Sequence, residues 1–204
     1  MVAPLEAKAS RGVFNIDNYN YDIFRFKGKR SYVSLMIKPL SQDIKKALSI
    51  MNELIIAQAV KKDLPIILDI QRKAFMEVAG LFNLKTLPPI EQTLESLIEE
   101  FVNGTILKAS IANTIIGSVR AYRKNDTCHI GKLVVLPDYQ NKGIGKALMN
   151  DIENQYKSIV KRYELFTGAR DPRNRYLYNQ LGYKSFKTEK LNDEISFVYM
   201  EKSA

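Results

Sequence analysis

The segment Leu133-Val-Val-Leu-Pro-Asp-Tyr-Gln-Asn-Lys-Gly-Ile-Gly-Lys-Ala-Leu148 contains the strongest fold signal in this sequence. It begins with apolar residues typical of a buried strand, passes through a proline turn, and ends in an amphipathic helical pattern. Gly143 and Gly145 stand between turn and helix, where they let the backbone approach a ligand closely. Free N–H groups and the macrodipole make a helix start an anion site. The segment therefore predicts a strand, loop and helix that bind a phosphate group.

Two other phosphate-binding motifs do not fit the same residues. The third glycine of a dinucleotide fingerprint would fall at Leu148, and a P-loop would need glycine at Gln140 and serine or threonine at Ala147. Lys142 and Lys146 add positive charge to the loop. A glycine pair alone also fits an ordinary turn between strand and helix, so the flanking residues decide.

The flanking residues resemble motif A of the GNAT-type N-acetyltransferase superfamily, Val-x-Pro-x-x-(Gln/Arg)-x-x-Gly-x-(Gly/Ala). The matching positions are Val135, Pro137, Gln140, Gly143 and Gly145. A second segment, from Asp171 to Tyr183, resembles motif B of the same family. The two motifs stand in the family's order, and the resemblance covers roughly three quarters of the chain, from Leu54 to about Lys202.

Periodicity around these motifs predicts an α/β protein, an α+β mixed sheet with helices on both faces. The predicted strands cover 54–60, 105–112, 114–123, 128–136, 163–167, 184–188 and 195–200. The predicted helices cover 64–82, 90–102, 145–160 and 174–181. The resemblance implies a GNAT-like acyl-CoA N-acyltransferase fold over 53–204, preceded by an N-terminal extension over 1–52.

The extension is expected to be a small β-hairpin followed by a short helix. Its predicted strands are 14–26 and 31–37, joined by a basic turn over 27–30, and its helix runs from Ser41 to Met51. Residues 1–50 hold nine Lys or Arg and four Asp or Glu, so they supply five of the nine excess positive charges. About 50 residues can bury only a small hydrophobic core, which gives little stability on its own. We expect the extension to dock on the remaining chain or to form a homodimer, and nucleic-acid binding stays open.

Composition excludes several other classes of protein. A chain of 204 residues that is 46% hydrophobic can bury a stable core without disulfides or structural metal ions. Its single cysteine excludes an internal disulfide. No apolar stretch reaches the length of about 20 residues that spans a membrane. The sequence therefore predicts a soluble, cytoplasmic protein with no membrane partner and no metal.

The resemblance implies that acetyl-CoA is the co-substrate. The backbone of Leu133, Val134 and Val135 would pair with the pantetheine arm as if it were another strand. The pyrophosphate would lie on the loop formed by Gln140, Asn141, Lys142, Gly143, Ile144, Gly145 and Lys146. Tyr178 aligns with the family's general acid, and a phenol with a reference pKa of about 10 suits protonation of a thiolate with a reference value of about 8.5. The family often has asparagine at the position of Asp171; we favour Asn174 as the amide that orders the pantetheine.

The general base and the acceptor each have more than one candidate. Glu164 lies on the strand after motif A and is our first choice of base, while His129 and a water relay stay open. Acceptor selection in the family lies mainly in the first two helices, here about 67–104, whose net acidic composition favours a cationic acceptor. We expect acetylation of a primary amine on a small cationic molecule, a peptide or a protein. The alternatives are acetylation of an aminoacyl-tRNA, or a non-enzymatic acetyl-CoA sensor that binds nucleic acid through the basic hairpin.

Overall fold

The computed structural model describes residues 9–16, 19–26, 53–81, 85–191 and 195–204. The chain divides into two compact units, Met1–Leu48 and Ser49–Ala204. The boundary at 52 to 53 stays a prediction.

The first unit contains an antiparallel pair of strands, β1 (Ala9–Ile16) and β2 (Tyr19–Phe26), with Ile16 opposite Tyr19. A single strand over 14–26 is therefore wrong, because the chain reverses direction after Ile16. The predicted basic turn, second strand and helix, over 27–51, lie outside the described residues.

The second unit is built on a seven-stranded mixed sheet in the order β3-β4-β5-β6-β7-β9-β8. Its strands are β3 (Ile55–Gln58), β4 (Thr105–Ile111), β5 (Thr114–Lys124), β6 (Thr127–Val135), β7 (Arg162–Gly168), β8 (Lys184–Lys190) and β9 (Ser196–Ser203). Neighbouring strands are antiparallel except β6 and β7, which are parallel. The predicted mixed sheet is confirmed.

Five helices accompany the sheet in the part of the chain that the structure describes. They are α1 (Leu64–Leu81), α2 (Pro88–Glu91), α3 (Leu94–Asn103), α4 (Ile144–Tyr156) and α5 (Pro172–Gln180). Short 3₁₀ turns at Lys61–Asp63 and Pro137–Tyr139 precede α1 and α4.

The predicted helix over 90–102 is two helices rather than one. The backbone of Gln92 leaves the helical region, and the Thr93 side chain then caps α3 by accepting a hydrogen bond from the Ser96 N–H at 3.2 Å. Threonine at this position is a good N-cap, a local signal that the apolar periodicity concealed. Glu91 therefore does not share a helix with Glu95, and the two carboxylates do not form one continuous helix face.

The core lies on both faces of the sheet. One cluster packs Leu148, Met149 and Ile152 of α4 against strand residues that include the buried free Cys128. The other cluster packs α1 and α3 against the opposite face. Because strand residues alternate between faces, neighbouring residues such as Ile115 and Ile116 of β5 join different clusters. Helices on both faces of the sheet are thus confirmed.

Candidate functional site

The site begins at a gap between β6 and β7. The two parallel strands pair only at their first residues, and the last paired residues are His129 and Glu164. Beyond this point β6 continues to Val135 while β7 pairs only with β9 among the described strands. The second half of β6 therefore presents a free strand edge, with backbone groups available to a ligand.

A β-bulge shapes this free edge. Arg120 of β5 pairs with Gly131, but Ser118 pairs with Val134, so β6 carries one extra residue. Lys132 at the bulge has φ 52°, a left-handed conformation that is uncommon outside glycine. The bulge turns the strand where it leaves β7.

Alternation decides which backbone groups face the gap. The Leu136 N–H donates to the Ile116 carbonyl at 2.8 Å, so Leu136 faces β5 and the backbone groups of Val135 and Leu133 face away from β5. Val134 faces β5, and its side chain is buried between α1 and the sheet. The backbone groups of Leu133 and Val135 therefore point into the gap, whereas those of Val134 point toward β5.

The phosphate loop ends at the start of α4. Gly143 is the N-cap, with φ 82°, and the first helical hydrogen bond runs from the Ala147 N–H to the Gly143 carbonyl at 3.0 Å. The N–H groups of Ile144, Gly145 and Lys146 consequently have no acceptor within the helix. Three free donors and the positive end of the helix make this an anion site.

The side chains of the loop are fixed in different ways. The Gln140 amide donates to the Val135 carbonyl at 3.0 Å, which ties the loop to β6. Lys142 donates to the Asp138 carbonyl and lies over the Tyr139 ring, 5.2 Å from its centroid. Asn141 and Lys146 are exposed, whereas the Ile144 side chain is buried.

Helix α5 lies beside the loop and adds a residue that sequence reasoning missed. A Cβ atom built on Gly145 would lie 3.6 Å from Leu177 of α5 and 3.8 Å from Leu133 of β6, so these elements converge there. Arg173 donates a hydrogen bond to the Gln140 side chain and brings a third cation to the loop, after Lys142 and Lys146. The sequence signal that could have identified Arg173 is its position two residues after Asp171, near the start of motif B.

Tyr178 is buried on α5, and its ring makes an edge contact with Tyr183, with centroids 6.0 Å apart. Its hydroxyl has no hydrogen-bond partner among the residues that the structure describes. Burial raises the pKa of Tyr178, and the negative charge of Asp171 raises the pKa further. The phenol therefore keeps its proton throughout the neutral range.

Asp171 and Asn174 form one local unit. One Asp171 oxygen caps α5 by accepting from the Asn174 backbone N–H at 3.0 Å, and the other accepts from the Asn174 side-chain amide at 2.7 Å. Both carboxylate oxygens of Asp171 are thus hydrogen-bonded at the start of α5. The Asn174 side-chain oxygen remains free to accept a hydrogen bond.

Glu164 lies at the closed end of the gap. One of its oxygens accepts a hydrogen bond from Arg162, and the other lies 3.8 Å from Nδ1 of His129. The His129 ring stacks on Tyr122, with centroids 5.0 Å apart and planes 18° apart. The structure therefore brings together the two residues that were considered separately as bases.

A sequence model described as the acetyltransferase (GNAT) domain matches residues 82–204. Because this match covers more than half of the chain, the chain belongs to the GNAT acetyltransferase family. The family resemblance inferred from the sequence is confirmed. A comparison with curated proteins gave no match.

Solved structures share the fold at low sequence identity. The PaiA N-acetyltransferase of Thermoplasma acidophilum, in complex with coenzyme A, is 20% identical with a TM-score of 0.63, over 74% of this chain and 99% of its own. The ribosomal-protein-S18-alanine N-acetyltransferase of Escherichia coli is 16% identical with a TM-score of 0.61, over 74% of this chain and 93% of its own. A GNAT acetyltransferase of Elizabethkingia anophelis with acetyl-CoA bound is 19% identical with a TM-score of 0.58, over 75% of this chain and 99% of its own.

The family and the fold together make this chain an N-acetyltransferase, and they imply acetyl transfer from acetyl-CoA. Within the described ranges, no group of three His, Cys, Asp or Glu residues is arranged to hold a metal ion. None of the helices in those ranges is long and apolar enough to cross a membrane.

Proposed function

We propose that this chain transfers the acetyl group of acetyl-CoA to a primary amine by direct attack, with Tyr178 as the general acid. The observation that carries the proposal is the continuity of two ligand surfaces. The free edge of β6 leads, through Gln140, directly to the unpaired N–H groups at the start of α4. An elongated ligand with amides at one end and phosphates at the other fits both surfaces.

The residues fit acetyl-CoA specifically. Leu133 and Val135 offer backbone groups to the pantetheine amides, and the Asn174 side-chain oxygen is a further acceptor. The Gln140 contact occupies the Val135 carbonyl, which leaves the Val135 N–H and both backbone groups of Leu133. The pyrophosphate is assigned to the N–H groups of Ile144, Gly145 and Lys146, with the nearby cations compensating its charge.

Acetyl-CoA supplies an activated thioester, and attack by an amine forms a C–N bond as the C–S bond breaks. Tyr178 gives its proton to the departing sulfur and is later reprotonated from solvent. A phenol suits this role because it holds its proton at neutral pH and can release it to the basic sulfur as the C–S bond breaks.

Glu164 is proposed to accept the proton that the amine must lose. Arg162 holds one oxygen of the carboxylate, and the other oxygen faces His129 at the closed end of the gap. The proton reaches Glu164 directly or through the imidazole, whose orientation is fixed by Tyr122.

A thiol-release assay with acetyl-CoA tests the proposal against polyamines, aminoglycosides, amino acids, peptides and aminoacyl-tRNA. Tyr178→Phe preserves the ring and removes only the hydroxyl. We expect its turnover to fall about 10²-fold or more, while acetyl-CoA affinity measured by calorimetry stays within a few-fold. Full turnover by this variant on a good acceptor would show that solvent protonates the thiolate.

A further inference from the structure

An open cavity of about 350 Å³ lies against the bulge of β6, on the side of α2 and α3. Its lining includes Glu91, Gln92, Thr93, Ser96, Glu100 and Lys132. Lys132 directly precedes Leu133, so the cavity adjoins the strand edge that we assign to the pantetheine. Adjacent Cα atoms are only about 3.8 Å apart, so the backbone of the cavity wall continues directly into that edge.

The wall of the cavity nearest the sheet is a polar network around Arg120. This side chain is only 7% exposed and donates to one Glu100 oxygen at 2.6 Å, to Gln92 at 3.0 Å and to Gln71 at 2.6 Å. The other Glu100 oxygen accepts from the Gln92 amide at 2.7 Å. Both oxygens of Glu100 are therefore committed, and its charge is balanced by Arg120.

The remaining two charged residues of the lining are Lys132 and Glu91. Lys132 is half-buried and makes no ion pair with any residue that the structure describes. Burial lowers the pKa of Lys132; the negative charge of Glu100 opposes this effect and the positive charge of Arg120 adds to it. Glu91, at the exposed rim, likewise has no ion pair within the described ranges. One cavity thus holds a cation and a carboxylate that have no ion-pair partner among the described residues.

Two such charges of opposite sign fit a ligand that carries both complementary charges. We propose that the acceptor is a diamino monocarboxylic acid, whose carboxylate pairs with Lys132 and whose α-ammonium faces Glu91. Its side-chain amine then reaches the free edge of β6 and is acetylated. The inference rests on the proposed function, since it names the acceptor of that reaction.

The chemistry of the side-chain amine is the step already described. The amine nitrogen forms the new C–N bond, the C–S bond breaks, the thiolate takes a proton, and the amine proton leaves to a base. The α-ammonium remains protonated beside Glu91 and is not a nucleophile. The product is therefore expected to carry the acetyl group on the side-chain nitrogen alone.

Three probes separate the two recognition contacts. Free lysine carries both charged groups, pentane-1,5-diamine lacks the carboxylate, and 6-aminohexanoate lacks the α-ammonium. We expect lysine to have a kcat/KM at least about 10-fold above that of either analogue, as is typical for a charge-assisted contact. Mass spectrometry of the lysine product should locate the acetyl group on the ε-nitrogen.

Two variants test the assigned contacts. Lys132→Met should lower kcat/KM about 10-fold or more for lysine and 6-aminohexanoate, and leave pentane-1,5-diamine within about threefold. Glu91→Gln should lower kcat/KM for lysine but leave kcat/KM for 6-aminohexanoate unchanged. Lys157→Met, at an exposed lysine after α4, is the matched control and should change nothing.

Acetyl-CoA binding, measured by calorimetry, keeps the two proposals apart. If the parent protein binds no acetyl-CoA, the proposed function fails and this inference fails with it. If acetyl-CoA binds but none of the probes is acetylated, only the acceptor assignment is overturned. Equal use of lysine and pentane-1,5-diamine, unchanged selectivity in Lys132→Met, or acetylation of the α-nitrogen would also overturn it.

Discussion

Gly145 is the position at which the phosphate site can be tested with the least damage to the fold. A Cβ atom there would lie 3.6 Å from Leu177 and 3.8 Å from Leu133, which are ordinary van der Waals distances. Gly143 is less suitable because its φ of 82° strains any other residue. The series Gly145→Ala, Gly145→Asn and Gly145→Asp therefore adds volume, then a polar group, then a negative charge.

Stability should not fall along this series. Replacement of a helical glycine by alanine gains about 0.5–1 kcal/mol, and a carboxylate in the first helical turn adds about 0.3–1 kcal/mol through the macrodipole. Binding should respond differently to the charge. A carboxylate about 5 Å from one phosphate charge costs about 3 kcal/mol at an effective dielectric constant of about 20, or about 10²-fold in affinity.

Calorimetry with acetyl-CoA and thermal melting without ligand provide the two measurements. We expect the alanine variant to bind within a few-fold of the parent, and the aspartate variant to bind about 10²-fold more weakly than the asparagine variant. That difference should shrink as salt is added, because the repulsion is screened. A folded Gly145→Asp protein with the parent's affinity would remove the start of α4 from the site.

Three further perturbations address the base, the fold and the extension. Glu164→Gln should lower turnover about 10²-fold or more, and turnover at the rate of the parent would exclude Glu164 as the base. Burial raises the pKa of Asp63, but hydrogen bonds from Lys108 and from the Val60 N–H outweigh burial and hold that pKa below its ordinary value. Asp63→Ala should therefore cost about 1–3 kcal/mol of unfolding free energy above about pH 4, and denaturant titrations should show the difference from the parent vanishing as the pH falls through the folded-state pKa. Removal of residues 1–50 should lower the melting temperature or change the number of chains per particle found by light scattering, without changing acceptor choice; an unchanged melting temperature and oligomeric state would show that the extension does not dock.

Features carried by local sequence could be predicted. Helix α1 was expected over 64–82 and is found over Leu64–Leu81, because its apolar residues recur at helical spacing. The break predicted between the strands over 105–112 and 114–123 is found as a turn at Ala112 and Asn113, where both residues have positive φ. The strand, loop and helix of motif A are also found, because glycine, proline and apolar periodicity act over a few neighbouring residues.

Features that depend on distant partners could not be predicted. Gln71 and Arg120 are separated by 49 positions, and no local pattern indicates that they share a buried network. The left-handed conformation of Lys132 has no signal in its residue type, since lysine rarely adopts it. The pairing of His129 with Glu164 follows from the register of two strands that are joined by a long crossover.

The topology explains why the strand edge and the anion site occur together. A parallel pair needs a crossover, and here the crossover contains α4, which returns the chain to the beginning of β7. Pairing of β6 with β7 is confined to their first residues, so the gap opens toward the carboxyl end of β6. Helix α4 begins a few residues beyond that same end, and its N-terminus carries the free donors. One connection therefore creates the free edge and places the phosphate site at its end, which is where open α/β sheets commonly bind their ligands.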